Sequence, residues 1–140
     1  MASRPDLPRR IQQSTLDEAE LDGVDLRGRN LRRLNFSNRE MSAAVFSEAL
    51  LEEVNLSEAS LGRADFREAE LRKVSLKKAK LQQSQWSRSR AQDLNLEAAC
   101  LDEAVLSFCF LTRVSLRDAS LDGLQAQDAQ FEELDASGSS

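Results

Sequence analysis

Histidine and tyrosine are both missing from this 140-residue chain. Without histidine the usual general acid–base residue is gone, and so is every Ser-His or Cys-His nucleophile arrangement. There are five glycines. Gly23 and Gly28 lie one pentad apart at equivalent turn positions, which is repeat grammar and not a phosphate loop. The two prolines, Pro5 and Pro8, fall in the first ten residues and argue against a helix there. Two cysteines without histidine make a poor metal site and read as free thiols of a reducing cytoplasm. No run approaches the ~20 apolar residues of a membrane span. The opening MASRPDLPRR has basic residues but no apolar segment behind them, so it is not a secretory signal. Paired carboxylates such as Glu52-Glu53 and Glu132-Glu133 read as solvated turn residues. The expectation is a cytoplasmic chain that is not an enzyme and takes no cofactor or metal.

What is present is a period of five. In residues 51–76, Leu51, Leu56, Leu61, Phe66, Leu71 and Leu76 recur at fixed spacing, and a smaller apolar residue stands two positions before each. The 5n+1 positions from Leu16 to Ala136 number 25, and 21 of them are Leu, Phe or Met; Trp86, Ala91, Ala126 and Ala136 are the exceptions. No insertion breaks the register. Such a period decides the architecture before any local propensity does.

A helix does not fit. Five residues advance an α-helix by about 500°, roughly 140° past a full turn, so the apolar residues would scatter around it. A continuous strand also fails, because five is odd and the large residue would alternate faces. A short extended piece followed by a turn does fit. The 5n+1 residue and the one two before it then point inward together.

A second period sets the number of sides. The small inner position enlarges every twentieth residue, at Leu34, Val54, Val74, Leu94, Val114 and Leu134. Twenty residues are four pentads, so four pentads make one coil. The residues following that series, Asn35, Asn55, Ser75, Asn95, Ser115 and Asp135, are expected to form a hydrogen-bonding ladder between stacked identical side chains.

Ala64-Asp65-Phe66-Arg67-Glu68, Val54-Asn55-Leu56-Ser57-Glu58 and Leu94-Asn95-Leu96-Glu97-Ala98 resemble the A(D/N)LXX unit of the pentapeptide-repeat family. The resemblance runs from about Leu16 to Leu134. It implies an all-β fold, a right-handed quadrilateral parallel β-helix, here of about six coils of four pentapeptides. At ~4.8 Å per coil the stack would be roughly 29 Å tall. The expected organisation is an N-terminal arm or cap over residues 1–15, with Leu7 and Ile11 folding over the open end, the β-helix over 16–136, and a flexible tail over 137–140. Arg29 and Arg39 occupy inner small positions and are expected to snorkel outward. Trp86 replaces Leu in its column while Ser84, Ser89 and Ala91 shrink around it, which reads as volume compensation in a packed interior.

Function must then lie on the outer faces. The column Arg33, Glu53, Lys73, Asp93, Arg113, Glu133 alternates in sign at every level, which suits pairing along the stack. Residues 61–90 carry nine basic and three acidic groups, net +6: Arg63, Arg67, Arg72, Lys73, Lys77, Lys78, Lys80, Arg88 and Arg90 against Asp65, Glu68 and Glu70. Residues 91–140 carry two basic and ten acidic groups, net −8. This basic belt is not read as a nucleic-acid surface, because no aromatic residue interleaves it and its charges spread over four sides. Phe108 and Phe110 take outward positions, flanked by Val105 and Cys100, and form a candidate protein-binding patch. The leading expectation is a non-catalytic interaction scaffold with a protein partner. The alternatives are a DNA-mimicking modulator of gyrase or topoisomerase, which the family resemblance implies for some members, and a repeat module of a type VI secretion accessory or secreted effector protein. An uncovered C-terminal coil would also support an end-to-end homodimer.

Overall fold

The computed structural model of the chain describes residues 21–140. The backbone follows the pentad throughout. Each 5n+1 side chain is inside, from Leu21 to Leu116, and so is the residue two before it from Ala44 to Ala119. Between them two residues turn the corner, and the second is left-handed at every pentad, from Gly23 at φ 64° to Gly138 at φ 73°. Most of these corner residues are not glycine: Glu58, Arg88 and Phe108, among others, hold φ near +60°. The corner closes when the next small residue donates its N–H back to the large one, as from Ala59 to Leu56 C=O at 3.2 Å and from Ala64 to Leu61 C=O at 3.0 Å.

Four such corners make one coil, and coils stack in parallel. Isolated bridges join Asp25 to Val45, Asn35 to Asn55 and Glu40 to Ser60, all twenty residues apart. On the third side the contacts lengthen into strands: β1 (Asn30–Arg32), β2 (Leu50–Glu52), β3 (Glu70–Arg72), β4 (Arg90–Asn95), β5 (Phe110–Ser115) and β6 (Gln130–Asp135). They form one six-stranded sheet in chain order, with Leu31, Leu51, Leu71, Ala91, Leu111 and Phe131 in register. The result is an all-β, four-sided parallel β-solenoid with six levels and five steps between them. Its sides are numbered one to four from those of Leu21, Leu26, Leu31 and Phe36.

The enlarged inner residue of the twenty-residue period has a local cause. At Leu34, Val54 and Val74 the corner closes no backbone bond of the 2.9–3.3 Å kind seen at the other corners. In the upper half β4, β5 and β6 run straight through this corner. A wider corner leaves more interior volume, and leucine or valine fills it.

Inside, the second side carries an aromatic stack. Phe46 and Phe66 lie 4.9 Å apart and 5° from parallel; Phe66 and Trp86 lie 4.2 Å apart at 16°. Trp86 is 1% exposed. Volume compensation is only part of its setting, because Ser84 and Ser89 are buried with it and carry hydrogen bonds. Among the described residues no buried side-chain polar atom lacks a partner.

Several expectations are refined. Arg29 and Arg39 are half-buried and the coil is regular around them, with β1 immediately following Arg29. The Asn/Ser column is not a ladder of side chains. Asn35, Asn55 and Asn95 each accept from the backbone N–H two residues on, at 2.9 Å. Asp25 and Asp65 do the same. A short side-chain oxygen finds its nearest donor within its own turn before it can reach the next coil. Residues 137–140 continue the coil: Asp118 N–H donates to Ser137 C=O at 3.0 Å and Leu121 N–H to Ser140 C=O at 2.7 Å. Gly138 supplies the left-handed corner there. The arm over residues 1–15, with Leu7 and Ile11, lies outside the described residues.

Candidate protein-interaction surface

Phe108 and Phe110 meet at the corner between the second and third sides. Phe108 is the left-handed corner residue at φ 64°, and Phe110 opens β5. Neither can turn inward, because Cys109 between them already fills the inner position and is buried. Both rings are therefore 48% exposed, and with Leu134 they are the large apolar side chains most open to solvent among the described residues.

One coil below stand Arg88 and Arg90. The Arg88 Cζ lies 5.6 Å from the Phe108 ring centroid, and the Arg90 Cζ lies 5.6 Å from that of Phe110. Each guanidinium is held over a ring face, a contact worth about 0.5–1 kcal/mol at exposed sites. The spacing of twenty brings the upper edge of the basic belt onto the aromatic patch. Reading the belt and the patch as linear segments missed this; adding twenty to Arg88 and Arg90 finds it.

The other belt residues are distributed. Arg67 binds Asp65 through two bonds of 2.9 and 2.8 Å. Those bonds hold the Asp65 carboxyl below its ordinary value, against the opposing effect of burial. Arg72 pairs with Glu70 inside β3, and Lys77 reaches Glu97 at 4.0 Å. Lys80 stands in the bridge column of the first side and Lys78 at the corner that precedes it; Arg63 and Lys73 are corner residues elsewhere. Among the described residues, no carboxylate forms an ion pair with Arg88 or Arg90.

The patch named from the sequence divides. Val105 lies half-buried on the second side, three residues before the corner. Cys100 lies on the first side, half a coil from Phe110 and so across the solenoid from it. Burial pushes its thiol up, and it is no neighbour of the rings. Sequence proximity misled here, since ten residues are half a circuit.

Beside Arg90 and Phe110 the third side carries a shallow groove of about 460 Å³, lined also by Leu71, Ala91, Gln92 and Thr112. The sign-alternating column edges that side. Arg33 Nε lies 3.5 Å from Glu53, and Arg113 binds both oxygens of Asp93 at 2.7 and 3.2 Å. Such exposed pairs are worth roughly 0–1 kcal/mol each. Among the described residues no cluster of His, Cys, Asp or Glu is arranged to hold a metal ion, and no helix is long and apolar enough to cross a membrane.

Comparison with known families agrees with this geometry. The family described as "Pentapeptide repeat region" matches residues 9–86, more than half of the chain, and the one described as "Pentapeptide repeats (8 copies)" matches 69–107 and 99–133. The chain belongs to the pentapeptide-repeat family. No curated protein matches it in sequence. Among solved structures it is similar to a trypsin-treated form of QnrB1, a plasmid-mediated fluoroquinolone resistance protein. That match has 16% identity and TM-score 0.48, and covers 89% of this chain and 70% of the other. A pentapeptide-repeat protein of the Arabidopsis thaliana thylakoid lumen gives 19% identity and TM-score 0.45, covering 89% and 69%. HetL, involved in heterocyst differentiation regulation in Nostoc sp. strain PCC 7120, gives 23% identity and TM-score 0.34, covering 82% and 79%.

Proposed function

We propose that this pentapeptide-repeat chain is a non-catalytic scaffold that binds a protein partner through the Phe108/Phe110 corner. The observation that carries this reading is the pair of half-exposed rings, each with a guanidinium over it, on a backbone that prevents either ring from turning inward. Burying the exposed halves of both rings would remove roughly 200 Å² of apolar surface, or about 4–5 kcal/mol before the costs of association. Those costs are of comparable size, so the rings act as anchors within a wider contact. A solenoid suits the role, since corner residues are fixed by both neighbouring coils and little side-chain order remains to be lost. A rod that imitates duplex DNA would need continuous acidity, and the net +6 of residues 61–90 interrupts it.

The test is site-specific photo-crosslinking in producing cells, with the reactive side chain placed at Phe108, at Phe110, or at Lys80 on the first side. A discrete protein adduct from the two corner positions and none from Lys80 is expected. Equal adducts from all three positions, or none from the corner, would remove this reading.

A further inference from the structure

Resting on the reading of this corner as a contact face, we infer that its partner is a short, extended acidic peptide segment, with two carboxylates received by Arg88 and Arg90 and an apolar side chain laid against Phe108 and Phe110. Three observations support it. First, the neighbouring cations Arg67 and Arg72 are neutralised by Asp65 and Glu70, whereas Arg88 and Arg90 have no carboxylate partner among the described residues. Second, each of these two guanidinium groups lies over a ring, at 5.6 Å. A stacked guanidinium keeps its in-plane N–H donors available, and the stack fixes their direction in advance, so a carboxylate can be met by two parallel bonds. Third, the two arginines flank the buried Ser89, Arg88 at the left-handed corner and Arg90 at the start of β4, so both stand outward two residues apart, and alternate residues of an extended peptide project the same way. An acidic residue, any residue and a second acidic residue would match that spacing. The groove beside Arg90 and Phe110, about 460 Å³, can take one further side chain.

The direction of the segment follows from the same columns. One coil below Arg88 and Arg90 stand Glu68 and Glu70; one coil above the rings stand Asp128 and Gln130. At ~4.8 Å per coil the positive and apolar zone is only about 10–15 Å tall along the stack, with Glu68 and Glu70 below it and Asp128 above, so an acidic segment fits it lying across the stack, alongside the coil that carries Arg88 and Arg90. A nucleic-acid backbone continues its negative charge past such a zone and would meet Glu68 or Asp128, which disfavours it.

The experiment uses an array of synthetic peptides carrying acidic-any-acidic triplets flanked by an apolar residue, the same array with Asp→Asn and Glu→Gln, and a single-stranded oligonucleotide as the phosphate probe. Binding to the full chain is read by fluorescence anisotropy. Binding of acidic members, lost at least tenfold in Arg88→Gln/Arg90→Gln and unchanged in Lys77→Gln/Lys78→Gln, is expected. The Nε–H resonances of Arg88 and Arg90 should also shift on titration. Equal binding of the amide array overturns the acidic class, although the corner remains a contact face if crosslinking there persists. Oligonucleotide binding that depends on Arg88 and Arg90 and exceeds peptide binding overturns it too, as does an array with no binder. Thermal melts of both double variants separate a lost site from a lost fold.

Discussion

The Trp86 indole N–H donates to Ser84 Oγ at 2.8 Å, and the Ser84 hydroxyl donates in turn to Leu81 C=O at 2.7 Å. A β-solenoid interior has little room for a polar group, and this one is satisfied by a residue that also makes the turn. Ser84→Ala would strand the indole N–H inside the coil, at a cost of about 1–3 kcal/mol. Urea unfolding followed by circular dichroism, which does not depend on the tryptophan, measures it. In a Trp86→Phe background the same change should cost well under half as much, because no donor is left to strand; equal costs would mean that the bond contributes nothing.

Trp86 and Ala91 share the interior of one coil, on adjacent sides. Ala91→Leu restores the residue type of its register neighbours Leu71 and Leu111 but should overpack, costing about 1–3 kcal/mol. Trp86→Leu alone leaves a void. The double variant should recover at least ~0.5 kcal/mol relative to the sum of the two. Strict additivity in denaturant melts would show that the small residue has no connection with the tryptophan.

Ala98 holds φ 59° at a corner, where its Cβ is strained by roughly 1–2 kcal/mol. Ala98→Gly relieves that strain and gives back about 0.4–1 kcal/mol through the freer unfolded chain. The net expectation is a slightly more stable protein, by about 0.5 kcal/mol, the reverse of the usual effect of glycine. A lower denaturant midpoint for the variant would contradict it.

Acid should destabilise the solenoid. Hydrogen bonds from Arg67, Arg113 and Ser120 hold the Asp65, Asp93 and Asp102 carboxyls low, and bonds from Ser137 do so for Asp135. A carboxylate whose folded pKa lies below its unfolded value of about 3.9 stabilises the fold above that pH. The contribution is lost as pH falls through the folded values. Tm should therefore be flat from about pH 7 to 5 and drop below about pH 4. Asp65→Asn/Asp102→Asn should flatten the drop; a Tm that rises on acidification would contradict the assignment.

Both thiols should react slowly, in a set order. Cys109 is buried, its Sγ 2.9 Å from Trp86 C=O and 3.2 Å from Ser89 Oγ. Burial raises its pKa and that of the half-buried Cys100. Since the thiolate is the reactive form, modification by a disulfide reagent should need a higher pH than a free cysteine does, with Cys100 going first. Mass spectrometry of partly labelled protein reads the order directly. Because the neutral form is the one favoured inside, the stability linked to Cys109 is present below the unfolded thiol value and fades as pH rises through the folded one.

Much of this was legible in the chain because the fold is nearly one-dimensional. In a solenoid each residue meets the residues twenty before and twenty after it, so periods of five and twenty already assign inside, outside, corner and column. Leu34, Val54 and Val74 signalled a distinct corner through size alone. Arg33 with Glu53, and Asp93 with Arg113, were placed as partners by counting. Cys100 was misassigned where counting gave way to closeness along the chain.

Counting stops at the choice among partners within reach. Arg72 pairs with Glu70 in its own strand, while Arg32 crosses to Glu52 at 3.3 Å. Asn55 turns to its own loop, and Ser57 meets Ser75 at 2.8 Å across coils. These alternatives differ by fractions of a kcal/mol, near RT, so rotamer geometry and local crowding decide them. The same holds for the corner: the sequence determined that Phe108 and Phe110 must face outward, because an inward position was already filled. Only the stacked coils decided that Arg88 and Arg90 would lie over those rings, since one coil step brings a long flexible cation within reach of an exposed aromatic face.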